Sequence, residues 1–325
     1  MVVQPFHDEV IMTTKKLGSV LVAAATVVAL AAPFPADAIV GGAPDDDEHP
    51  YVGQLIFYVP SAVDPRFDTP GGWFNCTGTL IDPDTVVTAG HCTFDVGVDG
   101  RDTGGDGLSG GNDIWFSTAE APIYTGLPPS ASFVPSGNQA RYDAWSAFFD
   151  DNDNGWHETS AVFTHPQYID SQFLVHDLGV FTLSEPIYLD RYGVLPTEDY
   201  LDRYAGQAKH TALFESVGYG LEDSGPKMSA GGDTRRKADR QLVSFRGVYG
   251  LRDIAVKFSH NQGRGGGGTC FGDSGGPTFD ITGSPDGTGN LIVAVTSFGL
   301  NYNCNTSGSY RIDQPDDLAF INAHD

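Results

Sequence analysis

The chain has 325 residues, a formal charge of −24 at pH 7 and an apolar fraction of 40%. Aromatic and β-branched residues run through its whole length, which excludes an intrinsically disordered chain. The acidic balance argues against a nucleic-acid partner, because phosphates would be repelled. Glycine (41) and proline (20) separate many short apolar runs, and this pattern favours an all-β protein.

Residues 1–38 are predicted to form a signal peptide. Lys15 and Lys16 precede an apolar run, and the segment ends at a small-residue cleavage site closed by Ala38. Met12 is an alternative start. A membrane anchor is the competing interpretation, but the run from 17 to 32 is shorter than the roughly 20 residues that a span needs. We therefore expect a secreted, extracellular protein with no membrane association after cleavage.

Strand-like runs follow in chain order, separated by Pro, Gly and Asp turns. The predicted strands of the first half cover 51–59, 78–81, 85–89, 114–117, 161–164 and 178–183. Those of the second half cover 212–217, 241–245, 254–258, 291–297 and 309–312. Residues 315–323 are predicted to form a short closing helix.

Three irregular stretches lie between these runs. The Tyr- and Asp-rich stretch 188–206 is the candidate linker between two β domains, and 95–113 is predicted to be a surface loop. A second loop is expected at 221–240. It ends in a basic cluster that we interpret as solvated, and that consists of Arg235, Arg236, Lys237 and Arg240.

The chain has four cysteines, and an even number in an exported protein predicts two disulfides rather than free thiols. Their spacing does not indicate a zinc site. The segment from Asp150 through Asn152 and Asn154 to Gly155 resembles half of a calcium-binding EF-hand loop, but Ala161 stands where the bidentate Glu is needed. A solvated acidic turn is therefore expected, with structural calcium as the alternative. No other metal and no cofactor is predicted.

Three short motifs carry the chemistry. Ser274 lies between glycines in the segment 272–277, where a tight turn can turn backbone N–H groups toward one point beside a nucleophile. His91 follows a strand within 88–92, and Asp177 opens an apolar strand. Together they supply a nucleophile, a base and an orienting carboxylate. The segment 272–276 also fits the nucleophile elbow of α/β-hydrolase esterases, but that fold needs the order Ser, Asp, His.

These motifs, with the segments 39–42, 165–168, 217–220 and 297–299, resemble the trypsin/chymotrypsin family of serine proteases over nearly the whole chain after 38. The resemblance implies two antiparallel six-stranded β-barrels, at 39–190 and 191–325, with the active site in the cleft between them. It implies a serine endopeptidase that acts on proteins or peptides, and we expect a monomer. The alternative is a catalytically silent homologue that acts as a binding module.

The resemblance also assigns roles to residues. His91 becomes the general base and Asp177 its partner, while the backbone N–H groups of Gly272 and Ser274 form the oxyanion hole. Ser297 is expected to support Asp177, and His176 is expected to be structural. The disulfides implied by the family are Cys76–Cys92, beside the histidine, and Cys270–Cys304, across the specificity pocket.

Activation and selectivity are further expectations from the resemblance. In the family a freed Ile39 amine pairs with the acid before the serine, here Asp273. Because Ala38 is also the predicted cleavage site, export itself is expected to generate the active enzyme; a cut after Ala31 would instead leave a short propeptide. The S1 pocket is expected to be open, uncharged and suited to a large apolar or aromatic P1 side chain, with a small aliphatic side chain as the second choice. Its expected residues are Gly268, Thr269, Phe271, Ser297, Phe298, Gly299 and Gly308.

Overall fold

The computed structural model describes most of the chain after the predicted signal peptide. The described residues are 39–97, 112–135, 137–172, 174–205, 212–221, 232–244, 254–259, 266–284, 287, 289–299, 304 and 307–325. The predicted signal peptide, most of the loop 95–113 and part of the loop 221–240 lie outside them.

Strands dominate the fold, and most of them follow the apolar runs of the sequence. The described strands of the first half are β1 (Ala43–Pro44), β2 (Val52–Val59), β3 (Gly72–Leu80), β4 (Thr85–Thr88), β5 (Ile114–Ser117), β6 (His157–Thr164) and β7 (Gly179–Leu183). Those of the second half are β8 (Phe214–Gly218), β9 (Arg236–Arg240), β10 (Leu242–Ser244), β11 (Ala255–Phe258), β12 (Pro277–Asp280), β13 (Ile292–Gly299) and β14 (Ser307–Arg311).

Six strands close into an antiparallel barrel in the order β2-β3-β4-β7-β6-β5. Strand β2 pairs with β3 along its whole length, from Val52 opposite Thr79 to Val59 opposite Gly72. Strand β4 pairs with β7, with Thr88 opposite Gly179. This pairing places the ends of two strands side by side, and His91 and Asp177 lie next to those ends.

The second sheet has eight strands among the described residues, in the order β1-β9-β8-β12-β13-β14-β11-β10. It is open within the described part of the chain, whereas the family resemblance implied a second closed barrel of six strands. The two additional members are short. Strand β1 comes from the N-terminal segment and pairs through Ala43 with Lys237, and β10 pairs with β11 at the opposite edge.

The basic cluster lies on a strand and not on a solvated loop, so the interpretation of these side chains as solvated was wrong. Strand β9 pairs with β8 from Gly218 opposite Arg236 to Phe214 opposite Arg240. Its side chains alternate between buried and more exposed positions, with Arg236, Ala238 and Arg240 turned inward. The period-two pattern of a strand was hidden because two of the inward side chains are arginines.

Two α-helices are described. Helix α2 (Pro315–Asn322) lies where the closing helix was predicted. Helix α1 (Asn138–Phe149) was not predicted. Its Tyr142, Trp145 and Phe149 pack against Trp73, at centroid distances of 6.1, 5.3 and 5.7 Å. The spacing i, i+3, i+7 is the helical signal that the sequence carried there.

One apolar core runs through both sheets. It joins barrel residues such as Leu55 and Val180 to Val217, Val295 and Tyr310 of the second sheet. A shared core keeps the two sheets in one arrangement, because separating them would expose its apolar surface to water. Within the described residues, neither helix has the length and apolar character to cross a membrane.

Candidate active site

His91 and Asp177 are held together at the ends of β4 and β7. The side chain of Asp177 is fully buried, and it accepts a hydrogen bond from the His91 backbone N–H at 2.9 Å. The His91 ring lies with Nδ1 3.0 Å from Oδ2 and 3.1 Å from Oδ1 of Asp177. Ser297 donates its hydroxyl to Asp177 Oδ2 at 2.5 Å. Three groups therefore hold the carboxylate in position.

The environment of His91 favours its protonated form. Burial lowers the pKa of His91, but the negative charge of Asp177 and the contact with Nδ1 raise the pKa by more, so the net shift is upward. Because Asp177 accepts at Nδ1, the neutral ring carries its proton there and leaves Nε2 as the acceptor. The His91 side chain remains 26% exposed.

Ser274 lies on a turn that fits closely against the barrel. Gly275 has φ +78°, and a Cβ there would lie 2.0 Å from Thr88 Oγ1 and 2.5 Å from the Thr77 carbonyl. Only glycine permits this approach. The Ser274 carbonyl accepts from Thr77 N–H at 2.8 Å, and Thr77 Oγ1 donates to the Gly272 carbonyl at 2.9 Å. The serine turn therefore lies beside the strand that leads to His91.

The Ser274 hydroxyl is half-buried in this cleft. In the part of the chain that the structure describes, no hydrogen bond joins it to the His91 ring; the hydrogen bonds recorded for the ring run to Asp177. Long or misaligned contacts between nucleophile and base are common in proteins without substrate, and they tighten in the substrate complex.

The predicted oxyanion hole lies at a turn whose backbone is constrained on both sides. Gly272 has φ +98°, a conformation that favours glycine. The preceding carbonyl, of Phe271, accepts from Leu221 N–H at 2.8 Å. This bond sets the orientation of the peptide group whose N–H belongs to Gly272.

Asp273 is fully buried behind the serine. Its carboxylate accepts from Gly220 N–H and Cys270 N–H, both at 2.7 Å. A Cβ on Gly220 would lie 2.5 Å from this carboxylate, so this glycine makes room for it. Burial raises the pKa of Asp273 to about 7, against the two backbone donors and the charge of Arg240, which lower it.

The segment that begins at Ile39 pairs with the loop that leads to the serine. Ile39 is fully buried, with φ 56°. Val40 forms two backbone hydrogen bonds with Gly268, at 3.0 and 2.9 Å. Gly268 stands only five residues before Asp273, so the start of this segment lies beside the loop that carries the serine.

Both expected cysteine pairs are bonded in the structure. Cys76 and Cys92 have a Cα–Cα distance of 6.3 Å and join β3 to the His91 turn. Cys270 and Cys304 have a Cα–Cα distance of 5.2 Å and join two segments of the expected S1 pocket.

The expected S1 walls are uncharged in the described residues, but one of them is not open. Phe298 pairs with Gly308 across β13 and β14. A Cβ on Gly308 would lie 2.1 Å from the Phe298 ring, so the ring covers this glycine. Asp313, the closest acid downstream of the walls in sequence, accepts from Arg311 at 2.8 Å and from Leu201 N–H at 2.8 Å.

His176 lies away from the nucleophile. It stacks on His165, with ring centroids 4.6 Å apart and planes 6° from parallel, and its Nδ1 lies 3.6 Å from Asp316 Oδ2. These three residues are close enough to be considered as a metal site. Nitrogen lone pairs lie in the ring plane, so stacked rings do not direct them at one ion.

The calcium alternative stays a prediction. Asp150 Oδ1 accepts from Trp115 Nε1 at 2.8 Å, and Asn154 Nδ2 donates to the Phe148 carbonyl at 2.9 Å. Both side chains are thus used in local packing.

Three residues beside the site were not predicted from the sequence to support it. Thr77 and Thr88 support the serine turn, and Arg240 contributes charge near Asp273. The threonines carried a weak signal, because Thr77 follows Cys76 within β3 and Thr88 ends β4 within the His91 motif. Arg240 carried none, since its burial depends on the pairing of β9.

Comparisons with known proteins agree with this fold. The family model described as Trypsin matches residues 149–317. A protein named Trypsin from Saccharopolyspora erythraea is 26% identical over 265 residues, which cover 80% of this chain and 86% of that protein. The solved structure of HL collagenase superposes with a TM-score of 0.57 at 16% identity, over 88% of this chain and 99% of that one. The last likeness shows the fold, and the match of the family model shows that this chain belongs to the trypsin family.

Proposed function

We propose that this protein is a secreted serine endopeptidase in which Ser274 attacks the scissile carbonyl of a protein or peptide. The observation that carries the proposal is the buried Asp177 hydrogen-bonded to His91 at the edge of the cleft that holds Ser274. Family membership supports the protease activity, and the geometry supports the assignment of roles.

The proposed reaction uses each group in turn. His91 Nε2 takes the proton of Ser274 Oγ as this oxygen bonds to the carbonyl carbon. The carbonyl oxygen becomes an oxyanion, which the N–H groups of Gly272 and Ser274 stabilise. The C–N bond then breaks, and His91 gives its proton to the leaving amine. Water repeats the sequence on the acyl-enzyme and releases the acid.

Asp177 has two tasks in this proposal. It keeps the proton of neutral His91 on Nδ1, so that Nε2 can accept, and it stabilises the cation that forms. Ser297 and the His91 backbone N–H keep the carboxylate in place through their own hydrogen bonds.

Export is the proposed route to activation. Two disulfides are consistent with an oxidising compartment outside the cytoplasm. Cleavage after Ala38 would free the amine of Ile39, and the ammonium would neutralise Asp273, which burial otherwise disfavours as an anion. N-terminal sequencing of the secreted protein tests this step. A first residue upstream of Ile39 in active enzyme would contradict it.

The proposed S1 pocket disfavours Lys and Arg at P1, because no carboxylate stands among its described wall residues to pair with them. The Phe298 ring over Gly308 gives the pocket an aromatic face. We propose that this face favours a large apolar or aromatic P1 side chain.

Cleavage of a denatured protein by the secreted chain and by its Ser274→Ala variant tests the proposal. The wild type should produce peptides, and the variant should lose this activity while keeping the same circular dichroism spectrum. If the two proteins are equally inactive although both are folded, the chain is a silent homologue that binds without cleaving.

A further inference from the structure

Three consecutive carbonyls of the serine turn are held by hydrogen bonds. The carbonyls of Phe271 and Asp273 accept from backbone N–H groups at 2.8 and 2.9 Å. The Gly272 carbonyl, which lies between them, accepts instead from the hydroxyl of Thr77 at 2.9 Å. Within the described residues, Thr77 is therefore the one side chain that donates to these three carbonyls.

The Thr77 hydroxyl is oriented by a second hydrogen bond. Thr77 is fully buried on β3, and its Oγ1 accepts from Tyr219 N–H at 3.1 Å. A backbone N–H can only donate, so the hydroxyl is the acceptor in this bond and its single proton is left for the Gly272 carbonyl. The Thr77 backbone is held as well, because its N–H donates to the Ser274 carbonyl at 2.8 Å and its carbonyl accepts from Thr88 Oγ1 at 2.9 Å.

The Gly272 carbonyl belongs to the peptide group that links the two proposed oxyanion donors. The N–H of Gly272 lies on the preceding peptide group and the N–H of Ser274 on the following one, so the middle group sets the angle between the two donors. Gly272 has φ +98° and no side chain that would limit rotation of this group. The hydrogen bond from Thr77 supplies the restraint that the glycine backbone lacks.

We propose that Thr77 is a positioning residue for the oxyanion hole: its hydroxyl holds the middle peptide group so that the N–H groups of Gly272 and Ser274 point at one oxyanion. This inference rests on the proposed endopeptidase function and adds a residue to it. Thr77 acts through the Gly272 carbonyl and not by touching the substrate. Because negative charge on the oxygen develops in the transition state, loss of the hydroxyl lowers kcat more than it raises KM.

The competing explanation is that Thr77 only cross-links β3 to the serine turn. A purely structural hydroxyl would change the stability of the protein but not the kcat of its folded molecules. Thr159 offers the matched control. It is buried on β6, outside the serine turn, and its Oγ1 donates to the Asn112 carbonyl at 2.7 Å. Thr159→Val therefore removes a hydrogen bond of the same kind at another place.

The test compares Thr77→Val, which keeps the shape of the side chain and removes the hydroxyl, with Thr77→Ser, which keeps the hydroxyl. Rates are measured on a peptide with Phe at P1, with protein shown by circular dichroism to be folded. In Thr77→Val we expect kcat to fall about 10- to 100-fold, with KM changed less than about threefold. Thr77→Ser and Thr159→Val should keep kcat within about threefold of the wild type.

A peptidyl trifluoromethyl ketone with the same P1 side chain reports on the oxyanion hole itself. Ser274 Oγ bonds to its carbonyl carbon, the serine proton passes to His91, and the π electron pair moves to the oxygen, which becomes an oxyanion. In Thr77→Val the Ki of this ketone should rise by about the same factor as kcat/KM falls. The Ki of the product peptide, which forms no oxyanion, should stay within about threefold of the wild-type value.

Two results would overturn the proposal. One is a folded Thr77→Val that keeps the wild-type kcat and the wild-type affinity for the ketone. The other is a loss of kcat in Thr77→Ser of about tenfold or more, because the hydroxyl is present there. The serine variant decides the question even if Thr77→Val does not fold, since retained kcat supports the proposal. A folded wild type that neither cleaves the peptide nor binds the ketone would instead contradict the proposed function.

Discussion

Asp177 is the residue on which the proposed chemistry depends most. It is fully buried, and three donors reach its carboxylate: the backbone and the ring of His91 and the hydroxyl of Ser297. A carboxylate held in this way orients the base and keeps a negative charge beside it in a site of low polarity.

The pH dependence of kcat/KM follows from this arrangement. His91 must be neutral to accept the serine proton, and Asp177 raises the pKa of His91 above its ordinary value of about 6.5. Activity should therefore rise with pH through a midpoint above about 6.5. A pH profile of kcat/KM on a peptide without titratable groups measures it, and a midpoint clearly below this value would contradict the account.

Replacement of the carboxylate gives a second prediction. Asp177→Asn should lower kcat at neutral pH by roughly 10⁴, because the amide no longer favours the proton on Nδ1. The protein should still fold, since the amide has a similar shape. Ser297→Ala, which removes one donor to the same carboxylate, should cost far less, and equal losses for the two variants would argue against a special role of the charge.

The sequence indicated the three residues of the proposed catalytic group but not the buried charge of Arg240 near Asp273. His91, Asp177 and Ser274 lie in short motifs whose residue types are required by the chemistry. Arg240 was interpreted as a solvated side chain, because nothing local distinguishes a buried arginine from an exposed one. Its burial results from pairing with Phe214, a residue far away in the chain.

Among the elements of the fold, the close approach of the serine turn to β4 brings Ser274, the proposed nucleophile, toward the segment that carries His91, the proposed base. Gly275 permits this contact, with Thr88 Oγ1 only 2.0 Å from where a Cβ would be. The turn is also bonded to β13 through Gly275 N–H and the Thr296 carbonyl at 2.7 Å. Gly275 therefore contacts a strand of each sheet.

Gly275→Ala should separate the turn from β4. Overpacking should cost about 1–3 kcal/mol of stability beyond the backbone strain, and kcat/KM should fall more steeply than stability. Gly155→Ala is the matched control, because Gly155 has φ +70° and no atom within 4 Å of a Cβ. Denaturant unfolding and kcat/KM of both variants measure the difference, and equal losses would contradict the packing argument.

Elements were predicted well where apolar runs coincide with strands and poorly where they do not. Strands β2, β5 and β7 follow such runs closely. Helix α1 was missed because its aromatic side chains face a cluster outside the main core. Strand β9 was missed because two of its three inward side chains are charged. The edge pairs of the second sheet, made by β1 and β10, follow from no local pattern in the sequence.

In the whole molecule, the start of the chain after Ala38 is expected to take part in forming the active site. Val40 is paired with Gly268, and Ile39 is buried nearby. In the proposed activation, cleavage after Ala38 releases the amine of Ile39, and its expected partner is the buried carboxylate of Asp273.

A chain with one extra residue before Ile39 should therefore be poorly active. The buried carboxylate would lack its cation, which costs several kcal/mol, so kcat/KM should fall at least about tenfold. The comparison is with a chain that begins at Ile39, with both N-termini verified by mass spectrometry. Equal activity of the two forms would show that the amine is not required.

The central claim is that Ser274 is a nucleophile activated by its neighbours. Treatment of the secreted protein with a fluorophosphonate, followed by mass spectrometry of its peptides, tests this claim most directly. The account predicts a single adduct on Ser274, loss of proteolysis in proportion to labelling, and strongly reduced labelling in Asp177→Asn. An unlabelled Ser274 in folded protein that begins at Ile39, or an adduct on another residue that abolishes proteolysis, would contradict it.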